Sequence, residues 1–503
     1  MGEYIKLKES INTDLKLLKK SIDSKTHVTK LEYSFDSQVW PKTGFDQKTW
    51  HHTVNIYVPD EIKNTSALLW INGGTNTNTK DGKSSVYVNY DLDFIKISSL
   101  TQSIVIDLQD IPNQYLTLDN KELAEDALTA YTSTKFIQDP MTYKYYPAYL
   151  PMVKAVIETL DNVQKINFAQ VNNSKSIINK NLIVNDFILS GLSKRGLTTW
   201  LAALQDDRIK AIIPVAIDIL NTEQIIMHIF NSYQSWPQAL HDYSEQNMLQ
   251  NLNNSHTKDL MYIIDPYQYI TCHGCSKSLE SIYDRRASVD KYIILSSGDD
   301  FFVPDSLKFY FHDVPGKKYL TFIPNSYHYV DKTILSNIIL SYVYIINNPH
   351  AKEHITIPTQ TSKIKKNITG ENKYDLIVST DTKPKAITLY TAHNPKQRDF
   401  RLAMGIKYQS TPISIDKYNR YKRKKDKRYV YTVNINKPES GWQASFVELE
   451  YELHQNKIIP NLKLTTPVEI LPTNYPEIIK RAIKNETREI IHYGKEVLYP
   501  NKD

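Results

Sequence analysis

The sequence predicts an α/β fold: a mostly parallel sheet with helices on both faces, followed by a C-terminal all-β, sandwich-like domain. Three observations carry this. The apolar runs 67–71, 104–106, 187–189, 211–215 and 292–295 barely alternate, as strands buried on both faces do. Stretches of helical periodicity lie between them, which is how parallel strands are connected. After about residue 350, strand-like runs separated by turn residues take over.

Taken in order, Ile5, Ile11, Leu15 and Leu18 recur among lysines and predict an amphipathic helix over 3–24, within an N-terminal helix or arm of residues 1–29. Residues 30–350 form the α/β domain. Its first strand, 52–58, alternates as an antiparallel strand does and ends at the turn Pro59-Asp60. Val153, Val156, Leu160 and Val163 mark a helix over 148–166, and a closing helix spans 331–347. The polar stretch 351–372 reads as a linker. The β domain, 373–475, has strands expected at 385–391, 399–408, 428–435, 443–453 and 463–471. A helical tail is expected over 476–503.

The 503 residues, 41% apolar and 23% charged, are enough for two to four domains of ordinary globular composition. No apolar run is long enough for a transmembrane segment. A net charge of +6 does not ask for a nucleic-acid partner at this length. Lys417 to Arg428, basic with interleaved tyrosines, reads as a solvated hairpin loop. The N-terminus lacks the apolar core of a signal peptide. The two cysteines, Cys272 and Cys275, are too few for a zinc site, so no metal and no cofactor is expected. They read as a loop disulfide or free thiols, with a redox pair as the alternative.

Chemistry concentrates where the strand 187–189 runs into Ser190-Gly191-Leu192-Ser193-Lys194-Arg195-Gly196 and then into a helix. This is the setting of a nucleophile elbow, in which a serine on a tight turn stands clear of the sheet. Gly191 gives the turn room, and Gly196 lets the helix approach the strand. The usual second glycine comes one place late, with Arg195 in its slot. An acid and a histidine should follow at the ends of later strands. Strand 291–296 leads into Gly298-Asp299-Asp300, and strand 318–323 leads to His328. Ser193, Asp299 and His328 are therefore the candidate nucleophile, acid and base of an α/β-hydrolase. The acid lying four residues before Pro304 would instead be Asp300. Backbone donors for a developing oxyanion are expected at Lys194, the residue after the nucleophile, and at Gly74 and Thr75 after an early strand. Asp110, Glu125, Asp218 and Asp265 read as structural hydrogen-bonding residues.

Many segments, in order, resemble the PhoPQ-activated pathogenicity-related protein family. They include Asn72-Gly73-Gly74-Thr75-Asn76, Glu125-Asp126-Ala127, Ser193-Lys194-Arg195-Gly196, Asp265-Pro266-Tyr267, Gly298-Asp299-Asp300-Phe301-Phe302-Val303-Pro304, Arg398-Asp399-Phe400-Arg401 and Gly441-Trp442-Gln443-Ala444. The similarity runs over roughly residues 35–475, with 272–287 looking like an insertion. It implies an α/β-hydrolase core with a C-terminal β domain and places Ser193, Asp299 and His328 at triad positions. An Asp directly after Gly298 favours Asp299 over Asp300. It also implies secretion or a periplasmic location, a link to virulence in some members, and in one relative a secreted signal that represses proliferation.

Two functions follow as expectations. One is a serine hydrolase acting on an ester, amide or peptide carbonyl. The other is a secreted signalling or binding protein that meets a protein receptor on a hydrolase scaffold.

Overall fold

A computed structural model of the chain describes residues 1–42, 46–75, 89–171, 181–272, 274–347, 357–367, 372–416, 419–423, 426–453 and 458–477. The strands are β1 (Lys16–Ile22), β2 (Thr29–Trp40), β3 (Lys48–Val58), β4 (Ser66–Ile71), β5 (Val105–Leu108), β6 (Leu116–Leu118), β7 (Lys121–Leu123), β8 (Asp186–Leu192), β9 (Ile209–Val215), β10 (Asp290–Ser296) and β11 (Lys318–Ile323). The helices are α1 (Gly2–Ile5), α2 (Phe94–Thr101), α3 (Glu125–Gln138), α4 (Tyr149–Val163), α5 (Lys194–Ala203), α6 (Thr222–Tyr233), α7 (His241–Glu245), α8 (Ser255–Ile264), α9 (Pro266–Thr271), α10 (Lys277–Ala287) and α11 (Lys332–Asn347).

One nine-stranded sheet runs in the order β1-β2-β3-β5-β4-β8-β9-β10-β11. From β5 to β11 every pair is parallel, while β1, β2 and β3 add an antiparallel edge. This exchange of β4 and β5 followed by a regular parallel run is the α/β-hydrolase fold. The continuous apolar runs follow from burial on both faces. Ala67, Leu69 and Ile71 of β4 join Val153, Val156 and Leu201 from α4 and α5. Leu68 and Trp70 join Ile97, Leu335 and Ile339 from α2 and α11 on the opposite face. Each Val, Leu or Ile side chain among them contributes about 1.5–3 kcal/mol by leaving water.

The C-terminal region adds β12 (Gln360–Lys366), β13 (Lys373–Thr380), β14 (Ala386–Asn394), β15 (Gln409–Ile413), β16 (Asn419–Arg423), β17 (Asp426–Asn436), β18 (Trp442–Tyr451), β19 (Leu462–Thr465) and β20 (Glu469–Leu471). They form two antiparallel sheets, β12-β13-β17-β16 and β15-β14-β18-β19, with β20 beside β18. Leu376, Val378 and Val433 of the first share a core with Ile387, Val447 and Leu449 of the second. Thr380 Oγ1 and Tyr451 OH, 2.9 Å apart, tie the sheets together. The second sheet also docks on the last parallel strands. The Tyr292 hydroxyl donates to the Lys463 carbonyl at 2.8 Å, and the Phe322 N–H donates to Thr465 Oγ1 at 3.0 Å.

Four expectations change. The helix over 3–24 does not form: α1 stops at Ile5 and Lys16–Ile22 is an edge strand exposed on both faces. Its lysines at 16, 19 and 20 keep that edge solvated, which is how proteins blunt an edge strand. Part of the expected linker is β12, which pairs with β13 along its whole length. The strand expected over 399–408 is instead a short 3-10 turn at Leu402–Met404. That backbone is engaged elsewhere, since Leu402 N–H donates to the Gly298 carbonyl at 3.1 Å. The expected strand over 463–471 is split into β19 and β20.

The helical tail expected over 476–503 lies outside the described residues from 478 onward, as do linker residues 351–356 and 368–371. Of the basic segment, Lys417, Tyr418, Lys424 and Lys425 also lie outside them. The backbone on either side pairs as the β16–β17 hairpin. Cys272 and Cys275 are joined as a disulfide between α9 and α10. Among the described residues no helix is long and apolar enough to cross a membrane, and no group of three or more His, Cys, Asp or Glu side chains could hold a metal ion.

Candidate active site

Strand β8 delivers Ser193 to the carboxyl end of the sheet, and α5 begins at the next residue. Ser193 has φ 59° and ψ −124°, a conformation that costs a non-glycine residue on the order of 1–3 kcal/mol and is held only by its surroundings. Its N–H donates to the Val215 carbonyl at 2.8 Å, pinning the turn to β9. A Cβ on Gly191 would lie 2.7 Å from the Arg195 carbonyl oxygen and 2.8 Å from Arg195 Cβ. A Cβ on Gly196 would meet Ile217 Cγ2 at 2.8 Å. The first glycine thus makes the space that lets an arginine occupy the following turn.

Arg195 has a definite partner. Its guanidinium forks onto the Glu125 carboxylate, with Nη1 2.7 Å from Oε2 and Nη2 paired with Oε1. Lys194 Nζ reaches the same carboxylate at 2.6 Å and Asp126 at 3.3 Å. Glu125, Lys194 and Arg195 are buried, and Asp126 is partly exposed. Burial alone would raise the Glu125 pKa, but Arg195 and Lys194 overcome it and hold the carboxyl well below its ordinary range. Burial likewise works against the Lys194 ammonium, and Asp126 and Glu125 together keep its pKa above the ordinary value. Gln114 links this cluster to the loop after β4, donating from Nε2 to Glu125 Oε1 at 2.7 Å and to the Gly74 carbonyl at 2.9 Å.

Three of the residues singled out in the sequence meet in one hydrogen-bonded chain. His328 Nε2 lies 2.8 Å from Ser193 Oγ. His328 Nδ1 lies 2.9 Å from Asp299 Oδ2 and 3.1 Å from Oδ1. An ionised carboxylate only accepts, so Nδ1 carries the proton and the Nε2 lone pair faces the serine hydroxyl. Asp299 Oδ1 also accepts the Phe301 N–H at 2.8 Å, which fixes the carboxylate. The hydrogen bonds of His328 Nδ1 go to Asp299 and not to Asp300; burial, then Asp299, push the Asp300 pKa up to about 6. His328 is packed by Phe301 and Tyr329, with ring centroids 4.4 and 5.5 Å away. Gly298, at the head of the acid loop, is backed by the C-terminal region: a Cβ there would sit 2.7 Å from Leu402 Cβ.

The backbone N–H of Lys194 is at the first position of α5, where no intrahelical acceptor exists. Gly74, with φ 131°, is in a conformation L side chains rarely adopt. A Cβ there would fall 2.3 Å from Asp110 Oδ1. Thr75 follows at the end of the described part of this loop.

Asp265 serves as a cap, its carboxylate accepting from the N–H groups of Thr222 at 2.8 Å and Tyr267 at 2.9 Å. Asp218 is buried near the acid loop, and burial reinforced by Asp299 and Asp305 pushes its pKa up to about 8. Sequence reading assigned no role to the wall of the cavity beside Ser193, much of it from α6, α8 and the turns between them. The signal was present: residues 216–289 between β9 and β10 are far more than one crossover helix needs.

The model of the PhoPQ-activated pathogenicity-related protein family matches residues 2–401. Autocrine proliferation repressor protein A of Dictyostelium discoideum is 30% identical over 456 residues, spanning 88% of this chain and 84% of that protein. Among solved structures, acetyl xylan esterase 1 from a Thermoanaerobacterium species aligns over 68% of this chain and 90% of its own, at 11% identity and a TM-score of 0.39. A glucuronoyl esterase from Solibacter usitatus aligns over 67% of this chain and 87% of its own, at 9% identity and a TM-score of 0.36. With the family model matched along most of its length and a relative aligned over most of both chains, the chain belongs to the PhoPQ-activated pathogenicity-related protein family.

Proposed function

We propose that the protein is a serine hydrolase acting on an ester or amide carbonyl. The observation that carries this is the run Asp299–His328–Ser193, with its 2.9 and 2.8 Å separations and its single consistent tautomer. His328 Nε2 takes the hydroxyl proton as Ser193 Oγ attacks the carbonyl carbon. Asp299 holds the ring and stabilises the imidazolium. The oxyanion is met by the N–H of Lys194 and by backbone at Gly74 and Thr75. Collapse breaks the bond to the leaving group, which takes the proton from His328. Water then hydrolyses the acyl-serine by the same steps in reverse.

A fluorophosphonate probe followed by peptide mapping tests this. Labelling at Ser193, abolished in Ser193→Ala, is expected. Folded protein that stays unlabelled while a control hydrolase reacts would sink the reading.

A second reading has its own support in the relative named as an autocrine proliferation repressor. On it, the chain is a secreted signal that binds a protein receptor and uses the hydrolase fold as a scaffold. The Cys272–Cys275 disulfide suits an oxidising compartment. Ser193→Ala protein that acts on growing cells as the wild type does would favour this reading. Complete loss with the fold intact would exclude it.

A further inference from the structure

We propose that the site is shaped for esters whose acyl group is an apolar chain longer than acetyl, seated in the cavity beside Ser193. This rests on the serine-hydrolase reading above and names its substrate class. Ser193 and Lys194 stand at the cavity, and its wall includes Ile217, Ile226, Met248, Leu252, Met261 and Phe302. The space is about 100 Å³, several times the ~10–15 Å³ that admits one water, so it holds a chain of several carbons.

Two features make the pocket selective for apolar groups. Its charged wall residues are already matched: Lys194 Nζ is taken by Glu125 at 2.6 Å and Asp126 at 3.3 Å, and Asp126 Oδ1 also accepts from the Tyr243 hydroxyl at 3.0 Å. A sugar or charged acyl group entering here would give up water for aliphatic side chains. The two methionines, Met248 and Met261, are adaptable wall residues that accommodate chains of different length.

The lining favours the acyl side of the scissile bond. The leaving oxygen must lie against His328 Nε2 to receive its proton. Ser193 and Lys194 line the cavity directly, whereas His328 stands behind Phe301, whose ring packs on it at 4.4 Å. The group seated in the cavity is therefore taken as the one that stays on the serine. In the reaction Ser193 Oγ bonds to the acyl carbon, the ester C–O bond breaks and the alcohol leaves with a proton from His328. Water then releases the carboxylic acid and restores the serine.

The test uses the full chain with p-nitrophenyl acetate, butyrate, hexanoate and octanoate, alongside fluorophosphonate labelling of Ser193. We expect kcat/KM to rise at least tenfold from acetate to hexanoate, a gain within reach of a few methylenes in an apolar pocket. Met261→Trp, which fills the cavity, should lower the hexanoate-to-acetate ratio at least tenfold. Met261→Ala, which enlarges it, should move the optimum to octanoate; either variant suffices if the other fails to fold. With the acyl group fixed as hexanoyl, lengthening the alcohol from methyl to hexyl should change kcat/KM less than threefold. Equal or better turnover of acetate, dependence on the alcohol instead of the acyl chain, or no ester turnover with Ser193 labelled would each overturn this inference and leave the hydrolase reading standing. No turnover of any ester and no labelling would overturn both.

Discussion

Asp299 and His328 face each other at 2.9 and 3.1 Å through both carboxylate oxygens, while Asp300, the next residue, makes neither contact. The two acids are therefore separable by substitution. Asp299→Asn should cut kcat/KM on an activated ester by about 10³–10⁴, because the amide stabilises the wrong tautomer and not the imidazolium. Asp300→Asn should stay within about tenfold of wild type. Steady-state kinetics on both variants decides it, and a reversal of the two effects would reassign the acid.

Glu125 is the buried counter-ion of both Lys194 and Arg195. Glu125→Gln leaves two cations short of charge and should cost roughly 3–5 kcal/mol in urea unfolding, the usual cost of breaking a buried ion pair from one side. The sign with pH follows from the depressed carboxyl. Its contribution is fully present above the unfolded value of 4.5 and shrinks as pH falls through and below it. The gap between wild type and variant should be largest above pH 5 and narrow towards pH 3.

Asp218 works in the opposite sense. Its pKa, raised from 3.8 to about 8, keeps it protonated in the fold while the unfolded chain ionises. Wild-type stability from this group is complete below pH 3.8 and is lost as pH rises to about 8. Asp218→Asn, which cannot ionise, should match wild type near pH 4 and exceed it by a few kcal/mol at pH 8. Urea midpoints measured at the two pH values check this; a constant difference would contradict it.

Arg398 is fully buried, donating to Ser232 Oγ at 2.9 Å and to Asp305 Oδ1 at 3.2 Å, and Asp305 also faces His228 at 2.8 Å. Arg398→Met should cost about 3–5 kcal/mol. It should also lower kcat more than it raises KM, because Leu402, four residues on, backs the Gly298 turn that carries Asp299. Unfolding curves and kinetics on the one variant test both halves of the claim.

The parallel sheet was legible because strands buried on both faces cannot alternate, so 67–71, 187–189 and 292–295 stand out. The meeting of Ser193 and His328 was legible because both follow strands of the parallel sheet in strand-to-turn contexts, which bring them to the same end of the sheet. The choice between Asp299 and Asp300 needed three dimensions: the residues are chemically alike, and a single backbone hydrogen bond from Phe301 turns one of them towards the histidine. The N-terminal segment misled because its apolar residues are divided among different structures: Ile5 ends α1 and packs on the core, Leu15 packs on the core before β1, and Leu18 is on the exposed edge strand. The length of the segment between β9 and β10 was legible, but which of its residues line the cavity was not, since Ile226, Leu252 and Met261 look like ordinary core residues until they are seen to enclose a space beside Ser193. The role of Glu125 needed its two partners, distant in sequence, to be placed.

The docking of the second β sheet on Tyr292, Thr321 and Phe322 also bears on how the chain can be divided. Strand β11 is the last of the parallel run, and Thr465 and Lys463 cover its flank. A protein cut back to residues 1–347 would bare that flank and the apolar surface beneath it, together with the rear of the acid loop where Leu402 now sits. Such a fragment would keep every side chain of the Ser193–His328–Asp299 chain and still be poorly soluble and poorly aligned. The minimal folded unit is therefore larger than the stretch of sequence that holds Ser193, Asp299 and His328.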